Sequence, residues 1–164
     1  MRLFIVTLLI GITMANNTEL KIGDNAPDFT LLDQNNIEHT LSDYIGKKIV
    51  VYFYPKDDTP GCTKEACSIR DNINAFEEND ITVLGISYDS PKSHKKFAEK
   101  YNIPFTLLSD SDKVVAESYN SNGFLMAKRN TFLIDTNGKI FKIYKKVDVT
   151  SHTDKILLDF SELN

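Results

Sequence analysis

The chain has 164 residues, enough for about one domain. Its 19 lysines and arginines against 23 aspartates and glutamates give a formal charge of −4, which argues against a dedicated nucleic-acid-binding protein because such proteins usually carry a basic excess. Hydrophobic residues at 41% and charged residues at 26% are typical of a folded globular protein, while two cysteines are too few for a disulfide-stapled scaffold or, without a nearby histidine, for a four-ligand zinc site.

The first residues have the layout of a secretory signal peptide. Met1-Arg2 is a short basic start, Leu3 to Ile12 is an almost unbroken apolar run, and Thr13-Met14-Ala15 supplies the small residues of a cleavage site. A run of about ten residues is too short to span a bilayer, which needs about 20. We therefore predict a signal peptide over residues 1–15 and a mature domain over residues 16–164, exported to the periplasm and not inserted in a membrane after cleavage. The alternatives are a membrane-surface anchor or a misassigned start codon, in which case the protein is cytoplasmic.

The first half of the mature chain predicts a hairpin, a buried strand and a helix. Residues 29–32 and 37–41 flank a turn-rich tetrapeptide and indicate an N-terminal β-hairpin, followed by a short helical turn that ends at Gly46. The β-branched and aromatic run over residues 49–54 suits a central strand covered on both faces, and Pro55 ends it. A loop follows, and then apolar positions spaced four, three, four and three residues apart predict one helix: Cys62, Ala66, Ile69, Ile73 and Phe76.

The second half continues the alternation of strands and helices. A strand over residues 81–88 completes a βαβ unit, and Ser90-Pro91 begins a helix that runs through Tyr101. A short strand, a short helix, an Asn-Gly hairpin and an amphipathic helix are predicted after it, over residues 105–108, 113–119, 131–144 and 151–163. This order predicts an α/β domain with a central mixed β-sheet flanked by helices, compatible with a thioredoxin-like fold.

Cys62 is placed where its thiol is easily ionised. It falls in the first turn of the predicted helix, beyond the carboxyl end of a buried strand, which is where ligands gather in open α/β sheets. Unpaired N–H groups and the macrodipole at a helix N-terminus favour an anion, and such sites lower a cysteine pKa from about 8.5 to between roughly 3.5 and 7.5. The pattern therefore indicates a reactive thiolate.

Cys67 lies five residues further on, on a polar face of the same predicted helix. In a regular helix the two Cα atoms are about 8.7 Å apart, with the side chains about 140° apart around the axis. A disulfide tolerates at most about 7 Å, so the pair cannot bridge while the helix is intact.

The residues alone leave other interpretations open. Cys62 is also compatible with an inert core cysteine and Cys67 with an incidental surface thiol; a static disulfide requires a non-helical segment, and metal binding requires a distant histidine. We expect His39, His94 and His152 to be exposed polar residues, since none is near a cysteine in the sequence.

The cysteine region resembles a known family. Pro55, Thr59 and Cys62 have the spacing of the P-x-x-x-T-x-x-C motif of the peroxiredoxins, and the segment YPKDDTPGCTKEAC is similar to the PrxQ group, also called bacterioferritin comigratory proteins. Downstream, the segment RNTFLID, which begins at Arg129, resembles the arginine-containing strand of that group. The similarity extends over nearly the whole mature chain, from about Leu20 to Phe160.

The resemblance implies a role for each matching residue. Cys62 is the peroxidatic thiolate, Thr59 hydrogen-bonds the peroxide and the thiolate, Pro55 packs over the thiolate, Arg129 holds the thiolate and polarises the peroxide, and Cys67 is the resolving thiol. The implied activity is an atypical 2-Cys thiol peroxidase that reduces hydrogen peroxide and organic hydroperoxides through a sulfenic acid and an intramolecular Cys62–Cys67 disulfide. A thioredoxin-like dithiol recycles it without a cofactor or metal, in a monomer or a weak homodimer.

Two rival functions come from other classes. An exported thiol–disulfide oxidoreductase would normally show C-x-x-C, whereas this chain has four residues between its cysteines. A copper-carrying thioredoxin-fold protein would need closer cysteines and a distal histidine, for which His152 is the only late candidate. Neither rival gives Arg129 and Thr59 an evident role. The predicted export signal departs from many PrxQ-like proteins, which lack one and use cytosolic thioredoxin, and this leaves the reductant open.

Overall fold

The computed structural model describes residues 19–163, so the predicted signal peptide lies outside the described residues. The strands are β1 (Thr30–Asp33), β2 (Glu38–Thr40), β3 (Lys48–Phe53), β4 (Ile81–Ser87), β5 (Thr106–Ser109), β6 (Thr131–Ile134) and β7 (Ile140–Tyr144). The helices are α1 (Pro60–Asp71), α2 (Ile73–Glu78), α3 (Pro91–Tyr101), α4 (Val114–Ser118) and α5 (His152–Ser161), and a 3₁₀ turn covers Leu41–Tyr44.

The strands form one mixed sheet in the order β2-β1-β5-β4-β3-β6-β7. β3, β4 and β5 run parallel, whereas β6 pairs antiparallel with β3, β7 with β6, and β1 with both β2 and β5. The start of β6 therefore lies beside the end of β3, where Tyr52 is paired with Thr131. This register brings the segment that precedes β6 to the same edge of the sheet as the segment that follows β3.

The central strand β3 is buried on both faces, as its continuous apolar run predicts. Val50 and Tyr52 belong to the core on one face, together with residues of α1, α3 and α5. Ile49, Val51 and Phe53 belong to the core on the other face. The predicted α/β architecture, with a mixed sheet flanked by helices, is confirmed.

The helix predicted from Cys62 through Phe76 is interrupted, and this part of the prediction is wrong. Asn72, with φ −112° and ψ 13°, separates α1 from α2. Its side-chain amide donates to the carbonyl of Ser68 at 2.9 Å. Asparagine competes in this way with regular helical geometry, which explains the break within an otherwise helical apolar pattern.

Two local signals in the sequence have the expected geometry. The Ser90 side chain accepts from the backbone N–H of Ser93 and caps α3. Gly138, in the turn between β6 and β7, has φ +77°, a conformation that glycine adopts without strain. Among residues 19–163, no helix combines the length and apolarity needed to cross a membrane.

Candidate active site

Cys62 occupies the first turn of α1, as predicted. β3 ends at Phe53, the chain turns through Pro55, and α1 begins at Pro60 after Thr59 as its N-cap. The thiol is buried, with 2% of the residue exposed, and the first turn of α1 contains no acidic side chain. Since N–H groups of the first turn lack partners within the helix, a thiolate at Cys62 is the anion that this helix start can stabilise.

Arg129 brings a positive charge to this sulfur from the segment before β6. Its Nη2 donates to Sγ of Cys62 at 3.2 Å, and its Nη1 pairs with the carboxylate of Glu65. Burial disfavours the charged guanidinium, but the charges of Glu65 and Cys62 outweigh burial and raise the pKa of Arg129 above its ordinary value. The guanidinium therefore stays charged beside the sulfur.

Gly61 makes room for this contact. A Cβ atom at position 61 would lie 3.2 Å from Nη2 of Arg129, closer than the great majority of Cβ contacts. The absence of a side chain therefore lets the guanidinium approach the start of α1.

Glu65 is a part of the site that the sequence reasoning missed. It is 1% exposed, and burial raises its pKa to about 7 against the opposing charge and hydrogen bond of Arg129. Within the described part of the chain, its second carboxylate oxygen has no hydrogen-bond partner, and neither has the buried hydroxyl of Tyr52. The sequence did contain a signal: Cys62 lies on the apolar stripe of the helix, and an acidic residue three positions later falls close to the same stripe.

Thr59 and Pro55 lie in the loop that leads to Cys62, and both are half-buried. The Thr59 hydroxyl donates to the carbonyl of Lys56 at 2.9 Å instead of capping α1. None of the described hydrogen bonds joins Thr59 to Cys62, so the direct partner of the sulfur is Arg129. With its proton committed to Lys56, the hydroxyl oxygen is free to accept a hydrogen bond.

Cys67 is half-buried and lies in the same helix as Cys62, and both cysteines are free thiols. Because α1 is continuous between them, helix geometry keeps their Cα atoms about 8.7 Å apart. Its second half is tied to the rest of the protein: Ser68 Oγ lies 2.8 Å from Thr153 Oγ1, and Arg70 Nη1 donates to the Tyr101 carbonyl at 2.6 Å. A disulfide between Cys62 and Cys67 therefore requires the start of α1 to unwind.

The expectation of three exposed histidines is wrong. His94 and His152 are 0% and 2% exposed, and the side chain of His39 is 19% exposed. Each ring has a polar partner, which makes the burial of His94 and His152 and the partial burial of His39 tolerable: Asp57 for His94, Thr131 for His152, and Asp33 for His39. The described hydrogen bonds connect none of the three rings to a cysteine. Within residues 19–163, no group of three or more histidine, cysteine or acidic side chains is placed to hold a metal ion.

Comparison with known proteins agrees with this arrangement. The sequence profile of the AhpC/TSA family matches residues 22–143. A putative peroxiredoxin bcp from Coxiella burnetii is 44% identical over 146 residues, which cover 84% of this chain and 97% of that protein.

Two solved structures are also similar. PrxQ from Xylella fastidiosa has a TM-score of 0.85 and 32% identity over 89% of this chain and 98% of that one. The bacterioferritin comigratory protein from Xanthomonas campestris has a TM-score of 0.79 and 31% identity over 82% and 91% of the two chains. These relatives do not favour the thiol–disulfide oxidoreductase or the copper carrier. The chain belongs to the AhpC/TSA family and, within it, to the PrxQ or Bcp group of peroxiredoxins, which are thiol-dependent peroxidases.

Proposed function

We propose that this peroxidase reduces hydrogen peroxide and organic hydroperoxides with Cys62 as its peroxidatic residue. The observation that carries the proposal is the 3.2 Å contact from Arg129 Nη2 to the sulfur of a buried cysteine at a helix start. The thiolate, and not the thiol, is the nucleophile, and a guanidinium and the N–H groups of a helix start are donors that can hydrogen-bond such an anion. Organic hydroperoxides are included because the relative from Xanthomonas campestris has alkyl peroxide reduction activity.

The first chemical step is nucleophilic displacement at oxygen. The thiolate sulfur of Cys62 attacks a peroxide oxygen, an S–O bond forms and the O–O bond breaks. Sulfur is oxidised to a sulfenic acid, and the leaving hydroxide or alkoxide takes a proton to become water or an alcohol. Negative charge spreads over the sulfur and both oxygens, where Arg129 and the first-turn N–H groups stabilise it. The Thr59 hydroxyl, which donates to the Lys56 carbonyl, accepts a hydrogen bond from the O–H of the peroxide. Pro55 limits the access of water to the sulfur.

Cys67 resolves the sulfenic acid. Its sulfur attacks the sulfur of Cys62, an S–S bond forms, and the hydroxyl group of the sulfenic acid leaves with a proton as water. The separation of about 8.7 Å between the Cα atoms in an intact helix requires the first turns of α1 to unwind before this step. A dithiol of thioredoxin type then reduces the disulfide by thiol–disulfide exchange, and no cofactor takes part.

The test of both cysteines uses peroxide consumption with a dithiol reductant. Cys62→Ser should abolish turnover, and a Cys62→Ser variant with full activity would refute the assignment. Cys67→Ser should react with peroxide once and then stop at the sulfenic acid or as a Cys62-linked dimer. Normal turnover of Cys67→Ser without an added small thiol would remove the resolving role.

We also propose that the protein is exported, that residues 1–15 are its signal peptide, and that it works as a monomer or a weak homodimer. The composition of residues 1–15 supports export. Fractionation by osmotic shock, with the mass of the recovered protein, tests this. Export predicts a periplasmic protein that begins at Asn16, whereas a full-length protein in the cytoplasm would refute it. Light scattering of the same material gives the oligomeric state.

A further inference from the structure

A buried cluster of hydrogen-bonded polar side chains stabilises the loop between β3 and α1. Asp57, at its centre, is 7% exposed. The Tyr54 hydroxyl donates to one carboxylate oxygen of Asp57 at 2.7 Å, and the Ser93 hydroxyl donates to the other at 2.7 Å. Nδ1 of His94 lies 2.9 Å from the second oxygen. Through these bonds, a loop residue two positions before Thr59 is connected to α3 and to Tyr54, the residue that follows β3.

Both ring nitrogens of His94 have polar partners. Nε2 faces the carbonyl of Leu108 at 3.1 Å, and because a carbonyl only accepts, Nε2 carries a proton. Nδ1 faces the carboxylate of Asp57, and the single hydroxyl proton of Tyr54 is already directed at that carboxylate. Nδ1 also lies 3.2 Å from the Tyr54 hydroxyl, so Tyr54, Asp57 and His94 form one connected set of hydrogen bonds. Because both side chains are buried, removing one partner leaves the other poorly satisfied.

Other contacts make the loop conformation depend on Asp57. The backbone N–H of Asp57 donates to the Asp89 carboxylate at 2.9 Å, which ties the loop to the segment after β4. The next residue, Asp58, has φ 55°, in the left-handed region that residues other than glycine enter infrequently. Such a conformation persists where surrounding contacts hold it, and the contacts of Asp57 are adjacent to it.

We propose that Asp57 and His94 are positioning residues that hold the start of α1 folded and thereby decide what happens to the sulfenic acid on Cys62. We call this pair the Asp57–His94 latch. The inference rests on the proposed role of Cys62. With the latch formed, the helix start that stabilises the thiolate is complete, and Cys67 is kept away from Cys62. When the latch opens, the first turns unwind and the disulfide forms.

The latch therefore sets a competition between two reactions of one intermediate. In the first, Cys67 attacks the sulfenic acid, giving the disulfide and water. In the second, the sulfenic acid attacks another peroxide, its sulfur gains an oxygen, the O–O bond breaks, and the products are a sulfinic acid and water or an alcohol. A weaker latch should favour the first reaction and should also slow the initial oxidation of Cys62, because the folded site is less populated.

The experiment compares Asp57→Asn with Asp58→Asn in the full chain. The Asp58→Asn variant is a matched control, since the same chemical change is made one residue away, at an exposed carboxylate that accepts from Lys100 and Tyr101 of α3 and has no contact with Asp57 or His94 among the described hydrogen bonds. The chain has no tryptophan for a fluorescence signal, so reduced protein is mixed with hydrogen peroxide, quenched at successive times, and read by intact mass for sulfenic acid, disulfide and sulfinic acid.

Asp57→Asn should raise the ratio of disulfide to sulfinic acid by about tenfold and slow the oxidation of Cys62, whereas Asp58→Asn should match the parent. An unchanged ratio in Asp57→Asn would overturn the latch while leaving the peroxidase assignment intact. A parent protein whose Cys62 does not react with peroxide would overturn both. If Asp57→Asn does not fold, Tyr54→Phe provides the same test, because it removes one hydrogen-bond donor to Asp57 and keeps the aromatic ring. This variant should also raise the ratio of disulfide to sulfinic acid, and an unchanged ratio would overturn the latch.

A spectroscopic measurement separates the latch from a general loss of structure. In the parent, ¹⁵N NMR of His94 should show the nitrogen shifts of a ring that shares a proton with Asp57, and Asp57→Asn should change these shifts while Asp58→Asn should not. Parent shifts typical of a neutral ring with no proton shared at Nδ1 would overturn the proposed pair.

Discussion

Replacing Glu65 with glutamine tests whether a buried carboxyl beside the reactive cysteine titrates near neutral pH. Glu65 is 1% exposed and pairs through one oxygen with Arg129, which also contacts Cys62. Glutamine keeps the size of the side chain and an oxygen that accepts from Arg129, but it carries no charge at any pH. Comparing Glu65→Gln with the parent therefore isolates the ionisation of this group.

The size of the effect follows from the pKa of Glu65 in the two states. Burial, opposed by Arg129, raises the pKa from 4.5 in the unfolded chain to about 7 in the folded protein. Between these values the folded state holds a proton that the unfolded chain has released. The stabilisation is therefore complete below pH 4.5 and is lost as the pH rises through about 7. At 1.36 kcal/mol per pKa unit, the loss amounts to about 3 kcal/mol.

The assay is urea denaturation of the reduced parent and of Glu65→Gln at a series of pH values from 4.5 to about 7 and beyond. The free energy of unfolding of the parent should decline relative to that of the variant by about 3 kcal/mol across this window. Other buried groups titrate in the same range, but they contribute equally to both proteins. Parallel curves for the two proteins would show that Glu65 is already ionised at acidic pH and would refute the reasoning.

Three further changes give independent tests. Arg129→Lys removes the planar guanidinium whose two NH₂ groups contact Cys62 and Glu65 at the same time, so kcat/KM for peroxide should fall by about 10- to 100-fold. An unchanged kcat/KM in initial-rate assays would contradict the role of Arg129. Thr59→Val should lower kcat/KM by about tenfold while Thr59→Ser keeps most of it; equal values for the two variants would show that the hydroxyl is not used. Burial lowers the pKa of His152 from 6.5 to about 4, so between these values the unfolded chain binds a proton that the folded protein does not, and the free energy of unfolding rises with pH by about 3 kcal/mol. His152→Gln should abolish this rise in urea denaturation. A rise that persists in the variant would show that another group causes it.

The position of Cys62 was predictable because its signals are local. An apolar β-branched run, a proline and a 3.6-residue period place one cysteine at a helix start without knowledge of any distant contact. Arg129 is different, since it is 67 residues from Cys62 in the sequence and meets it only because β6 pairs antiparallel with β3. Only the family resemblance connected these two residues in advance.

The errors of prediction have the same origin. Glu65 and His94 are polar residues whose burial depends on partners elsewhere along the chain, and a single sequence contains no direct sign of those partners. The break at Asn72 comes from a hydrogen bond between its side chain and the Ser68 carbonyl, which competes with a favourable apolar period. Patterns of hydrophobicity predict where elements form, whereas the pairing of buried polar groups depends on the tertiary structure.

The contacts along α1 divide this helix into a part that can open and a part that is anchored. The second half is tied by the bonds of Ser68 to Thr153 and of Arg70 to the Tyr101 carbonyl, neither of which involves Cys62. Within the helix itself, the first half is contacted at the Cys62 sulfur and at Glu65 by the same guanidinium, so oxidation of a Cys62 thiolate removes a negative charge that Arg129 contacts. The chemical step thus weakens one of the contacts that keep the helix start folded and leaves the anchored half intact. Cys67 lies at the boundary between the two halves, which allows its sulfur to meet that of Cys62 when only the first turns unwind.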